Sequence, residues 1–120
     1  MDAEIQLWIG LGCCTLYSVI AFIFYKYPPK KINHFYGYRT KRSMANPEIW
    51  KDANSYSSLM MLKLTLAGFI FPIALYFLWP EQNVLISITV TTLLLLSVMW
   101  FTEKYLNTRY NKDGSPKSQN

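Results

Sequence analysis

Ala21-Phe22-Ile23-Phe24-Tyr25 and Leu93-Leu94-Leu95-Leu96 decide the fold of this chain. Wound into a helix, each is apolar on every side, whereas a helix resting on a soluble core carries an apolar stripe and a polar face. Both lie inside longer runs of the same kind. Residues 5–25 (21 residues) and 84–101 (18 residues) hold no charge, and residues 59–79 (21 residues) hold one, Lys63. A spanning helix needs about 20 predominantly apolar residues at about 1.5 Å rise each. The sequence therefore predicts an all-α integral membrane protein with three transmembrane helices, and its 120 residues leave room for one domain. A cleaved secretory signal fits poorly, because Asp2 and Glu4 stand where a basic segment belongs and the first run is too long.

Charge placement orients these spans. Seven of the twelve Lys and Arg lie between the first two runs (Lys26, Lys30, Lys31, Arg39, Lys41, Arg42, Lys51), Lys63 lies just inside the second, and Lys104, Arg109, Lys112 and Lys117 follow the third. Three crossings put all of them on one side and leave Asp2, Glu4 and Glu81 on the other. The positive-inside rule then sets the N-terminus outside and the C-terminus in the cytoplasm. A net charge of +5 reads as topology plus attraction to anionic lipid headgroups, and no nucleic-acid partner is expected.

The first span ends where Pro28-Pro29 cannot continue a helix. Gly10, Cys14 and Ser18 recur every four residues, with Ala21 near the same face, a strip suited to close helix contact and open to a second copy of the chain or another membrane protein. Cys13 and Cys14 are neighbours with no further cysteine to pair with, so they read as small packing residues. Asn46-Pro47 reads as an N-cap followed by proline at the first helical position, with Glu48 in the first turn. On a helical wheel Ile49, Trp50, Ala53, Tyr56, Ser57 and Met60 share one arc, which predicts an amphipathic cytoplasmic helix over residues 47–58, either lying flat or continuing into the second span. Pro72 is expected to kink that span or weaken a backbone bond. The connector at residues 80–83 makes the second and third spans antiparallel neighbours. Ser87, Thr89, Thr91, Thr92 and Ser97 are expected to bond their own helix carbonyls, or to reach across helices. Residues 1–105 thus form one membrane domain with a loop at 26–58, and residues 106–120 read as a polar, disordered cytoplasmic tail.

The loop carries the chemistry. Gly37 permits a tight turn between Tyr36 and Tyr38, Arg39 presents a planar fork of donors suited to carboxylate or phosphate, and Thr40 adds a hydroxyl. Arg39 can pair with Glu48 or Asp52 and pin the loop, or keep donors for an anionic partner. Trp50 reads as an interfacial anchor, Asn54 as a polar clasp on the loop backbone, and Lys63 as a snorkelling cation or a headgroup contact. The string Tyr36-Gly37-Tyr38-Arg39-Thr40, followed by Ser43-Met44, Asn46, Glu48, Trp50, Ala53-Asn54 and Tyr56-Ser57, resembles the signature of the SdpI family of small bacterial membrane proteins. The match is specific over about 25 residues, whereas the flanking helices match in hydrophobicity and order. The resemblance implies a three-helix module of the bacterial cytoplasmic membrane, linked in its best-known members to immunity against a secreted antimicrobial peptide and to sequestration of a repressor.

No catalytic residue, metal site or cofactor is expected. His34 is the one imidazole, and HExxH, CxxC and nucleophile-elbow patterns are absent. Three functions fit: a non-enzymatic immunity or envelope-stress module that binds a membrane-active peptide or its target, an accessory subunit of a larger membrane complex, and a binder of anionic lipid headgroups. The candidate binding residues are Tyr36, Gly37, Tyr38, Arg39, Thr40, Glu48, Trp50, Asn54 and Lys63.

Overall fold

The computed structural model describes residues 1–117. Its helices are α1 (Ala3–Lys26), α2 (Pro47–Ala67), α3 (Ile70–Leu78) and α4 (Asn83–Arg109), with one 3₁₀ turn at Pro80–Gln82. Three helical stretches, Ala3–Lys26, Pro47–Leu78 and Pro80–Arg109, are long and apolar enough to cross a membrane. Caps set the starts of α1 and α2: Asp2 accepts from the Ile5 amide and Asn46 from the Ile49 amide, each at 2.9 Å.

Residues 47–58 are the opening turns of α2, which runs without interruption to Ala67. They are not a separate helix, and of the two arrangements left open by the sequence the continuous rod is the one formed. The second apolar run breaks instead at Gly68-Phe69. Pro72 explains the position. Lacking an N–H, it cannot donate to the carbonyl four residues back, that of Gly68. The Gly68 oxygen accepts instead from the Phe71 amide (3.2 Å) and from the Cys14 thiol of α1 (3.7 Å). A Cβ on Gly10 would stand 3.0 Å from that of Pro72, so the glycine lets α1 close directly over the break.

Inside the spans, the buried surface is small or polar. Gln6, Gly10, Cys14, Ser18 and Ala21 form the buried stripe of α1, and Asn83, Ser87, Thr91, Val98 and Thr102 lie on that of α4. Large apolar groups such as Trp8, Leu16, Ile70, Phe77, Leu93 and Trp100 point outward. Hydrocarbon gives helices no hydrophobic reason to associate, so close approach through small residues and interhelical hydrogen bonds takes over. Thr89 and Ser97 donate to carbonyls of their own helix, Ser87 donates to the Asn83 side chain, and Thr92 meets the Tyr17 hydroxyl at 3.5 Å.

The segment after residue 105 is part of the fold rather than a tail through its described length. α4 continues to Arg109, and Tyr110 pairs with Pro116 in a short hairpin that turns at Gly114. Leu106 and Tyr110 complete an apolar cluster with Ile49 and Ala53. Three polar contacts hold this end: Asp52 accepts from the Tyr110 hydroxyl and faces Arg109 at 3.5 Å, and the Asn46 amide donates to the Gly114 carbonyl at 3.1 Å. Polar composition concealed these long-range partners. Residues 118–120 of the expected tail lie outside the described residues.

Candidate functional site

The loop between α1 and α2 folds onto the helices through side-chain bonds to its backbone. Asn33 accepts from the Phe35 and Tyr36 amides, a turn that Asn forms readily because its side chain mimics a backbone carbonyl. Thr40 and Ser43 exchange bonds: each amide donates to the other's hydroxyl oxygen, at 2.8 and 3.1 Å. The loop is thus shaped by its own short polar residues before it meets a helix.

Asn54 of α2 is the clasp. Its Oδ1 accepts from the Tyr38 amide at 2.6 Å, and its Nδ2 donates to the Trp50 carbonyl at 2.9 Å and toward the Tyr38 carbonyl at 3.4 Å. Close approach of the loop depends on Gly37, for two separate reasons. Its φ of 98° suits glycine, and a Cβ there would lie 2.5 Å from both Asn54 Oδ1 and Pro29 Cγ. Trp50 is 1% exposed and donates its indole N–H to the Pro29 carbonyl at 2.8 Å. It is a buried pin beneath the loop, and the expectation of an interfacial anchor is corrected.

Arg39 pairs with neither Glu48 nor Asp52. Its Nη1 donates to the His34 carbonyl, while Asp52 is engaged by Tyr110 and Arg109. The guanidinium that does pin the loop is that of Arg42, which donates to Asn107 Oδ1 at 2.5 Å and to the Tyr110 carbonyl at 2.8 Å. That placement also suits a cation at the negative end of α4. Two arginines three positions apart therefore have different duties. Arg42 closes the end of a helix, and Arg39 remains exposed with one of its five N–H groups engaged.

A cavity of about 270 Å³ opens between this loop and the helices. Gly37, Tyr38, Arg39 and Thr40 form its loop wall, Asn54, Ser57 and Ser58 its α2 wall, and Phe24, Met61 and Met99 an apolar wall from three helices. Arg39 is the one charged residue among those lining it. Tyr38 also reaches α4, where its hydroxyl donates to the Met99 carbonyl at 3.3 Å. Burial first, and then the nearby Glu103 carboxylate, push the Tyr38 phenol above its ordinary range, so it stays neutral and can donate.

Five of the nine candidate residues, Gly37, Tyr38, Arg39, Thr40 and Asn54, line the cavity. Tyr36 flanks it, its ring 5.0 Å from that of Phe24. Trp50 lies beneath the loop, while Glu48 and Lys63 are exposed on α2 away from the lining. Sequence reading missed Ser43 and Arg42. A Thr-x-x-Ser spacing hints at the first; nothing local signals the second, whose partners stand 65 and 68 positions away. Phe24, Met61 and Met99 were hidden among ordinary span residues. Among the described residues, no cluster of His, Cys, Asp and Glu could hold a metal ion.

Fold and site together define a multi-pass helical membrane protein whose connecting loop builds a cavity at one end of the bundle. The chain belongs to the SdpI/YfhL protein family, whose sequence pattern matches residues 30–102, from the loop through most of α4. It is 39% identical over 112 residues to the uncharacterized protein YfhL of Bacillus subtilis (strain 168), covering 92% of this chain and 94% of that one. No solved structure matches significantly.

Proposed function

We propose that this protein is a non-enzymatic immunity or envelope-stress module of the bacterial cytoplasmic membrane, acting by binding a membrane-active peptide or the membrane component such a peptide attacks. The observation that carries this reading is the cavity: Gly37, Tyr38, Arg39, Thr40, Asn54 and Ser57 of the signature string line it, and its single charge, Arg39, is not consumed by an ion pair. Clasp, pin and glycine hold the loop in one shape, as a binding site needs if ordering costs are to stay low. Family membership supplies the association with the membrane, and the gathering of Lys and Arg at the loop end supports a cytoplasmic loop with the N-terminus outside.

Cells lacking the gene, complemented with wild type or with Met99→Trp to fill the cavity, provide the test. Survival against a panel of membrane-active peptides should fall on deletion, return with wild type and stay low with Met99→Trp. Equal survival of the deletion and wild-type strains across the panel would overturn the proposal. Orientation is tested separately at Lys41, which is exposed. A Lys41→Cys variant should resist an impermeant thiol reagent in intact cells and react after lysis, with the wild-type protein as the blank for Cys13 and Cys14.

A further inference from the structure

The structure assigns the cavity a ligand class: we infer that it takes the phosphate headgroup of an anionic membrane lipid, with the first part of an acyl chain against its apolar wall. The inference deepens the reading of this cavity as a binding site and rests on it. Size argues first. Ligand pockets run from about 300 to about 1,000 Å³, and about 270 Å³ holds a headgroup but not a folded peptide.

Chemistry of the walls argues second. A phosphate needs donors that are not already spent, and Arg39 has them: Nη1 meets the His34 carbonyl, and its remaining N–H groups have no partner among the described residues. Thr40, whose Oγ1 accepts from the Ser43 amide and whose hydroxyl lies within reach of the Tyr38 phenol, adds a polar group to the same wall as Arg39. Asn54, by contrast, is fully occupied with the loop and shapes the wall without offering a donor. No carboxylate lines the cavity to repel an anion or to receive the cationic group of a zwitterionic lipid.

The arrangement of the two walls argues third. Phe24, Met61 and Met99 come from α1, α2 and α4 on the span side, while Arg39 and Thr40 come from the loop. Met99 is itself 55% exposed on α4, and its apolar neighbours Leu96 and Trp100 are exposed with it, so the apolar wall continues onto an outward apolar face suited to acyl chains. A free phosphate would have no use for this wall. An amphiphile with a charged head and an apolar tail uses both, and methionine adapts to irregular chains.

Purified full-length protein in nanodiscs of phosphatidylcholine with a minor share of phosphatidylglycerol, read by native mass spectrometry, tests the assignment. Wild type should retain phosphatidylglycerol above its share in the disc. Arg39→Gln should lower retention by about ten-fold or more, the loss expected for charge-assisted bonds to phosphate. Met99→Trp, which leaves the clasp and the arginine intact, should lower it as well, while the distant pair Lys112→Gln and Lys117→Gln should not. Equal retention of the two lipids by wild type, or unchanged retention in both Arg39→Gln and Met99→Trp, overturns the inference. Displacement of the lipid by inorganic phosphate alone overturns its acyl component. Should wild type retain the lipid while deletion leaves survival against peptides unchanged, the immunity reading fails and the lipid site stands. Protection by wild type without selective retention of phosphatidylglycerol removes the lipid site alone.

Discussion

Two buried asparagines close the two ends of this bundle, and they do so to different effect. Asn83 donates to the Pro72 carbonyl at 2.9 Å and accepts from Ser87 at 2.9 Å, while nearby Gln6 donates to the Glu81 carbonyl and accepts from the Val84 amide. Every partner there belongs to a span or to the tight connector, so the amides join helix to helix around the Pro72 break. Asn54 makes as many bonds, but to a loop: it fixes the Tyr38 backbone, and with it the position of Arg39. The first end is a joint. The second is a mount, holding in a cavity wall a group whose own donors stay free.

The largest effect should come from removing the glycine that lets the mount close. Gly37→Val places a β-branched side chain at positive φ and within 2.5 Å of Asn54 and Pro29, so a loss of about 3 kcal/mol or more is expected in reversible detergent unfolding. A loss under about 1 kcal/mol would show that the loop does not dock as described.

Replacing each asparagine by leucine sharpens the contrast directly. Asn54→Leu strands the Tyr38 amide beneath the loop and should cost about 2 kcal/mol. Asn83→Leu should cost about 1 kcal/mol or less, because interhelical hydrogen bonds in membranes average about 0.6 kcal/mol and the Pro72 carbonyl belongs to a helix that also supplies donors. Equal costs would erase the distinction between joint and mount.

A smaller effect is expected from pH. Tyr110 is held above the ordinary tyrosine range, by burial first and by its bond to Asp52 second, and Tyr38 is raised as well. Raised folded-state values favour the protonated phenol. Their stabilisation is complete below the unfolded value of about 10 and is lost as pH rises above it toward the folded values. Melting temperature should therefore carry no pH dependence from these phenols near neutral pH, where their stabilisation is fully present, and fall above about pH 10. Tyr110→Phe should make that alkaline fall shallower, with Tyr38 accounting for the remainder; an identical slope in wild type and variant would remove Tyr110 from the explanation.

The spans were legible because each is a run of apolar residues long enough to cross, a property that needs no partner to be recognised. The start of α2 was legible for a similar reason, since Asn46-Pro47 caps locally and the Asn46 side chain does accept from Ile49. Where the second span breaks was half legible: Pro72 announced a disturbance, but its displacement to Gly68-Phe69 follows from which carbonyl loses its donor. The loop's shape was legible at Gly37, whose side-chain-free position is required twice over. The partner of Asp52 was not, because Arg39 and Arg109 are equivalent by charge and only the return of α4 beside α2 selects Arg109. Nor was the burial of Trp50, since a tryptophan near a membrane surface is as well suited to headgroups as to a pin beneath a loop. Composition likewise made residues 106–120 read as a tail, although Leu106 and Tyr110 supply half of an apolar cluster built with α2.

Whether Arg39 is free decides between a mount that bears a site and a loop pinned by an ion pair, and a double-mutant cycle measures it. Combining Arg39→Gln with Asp52→Asn should give a coupling within about 0.3 kcal/mol of zero, the additivity expected of residues that share no partner. Arg109→Gln with Asp52→Asn should instead couple by up to about 1 kcal/mol, as partly exposed pairs do. Coupling of Arg39 to Asp52 at about 1 kcal/mol or more, with none for Arg109, would contradict the account and return Arg39 to a structural role.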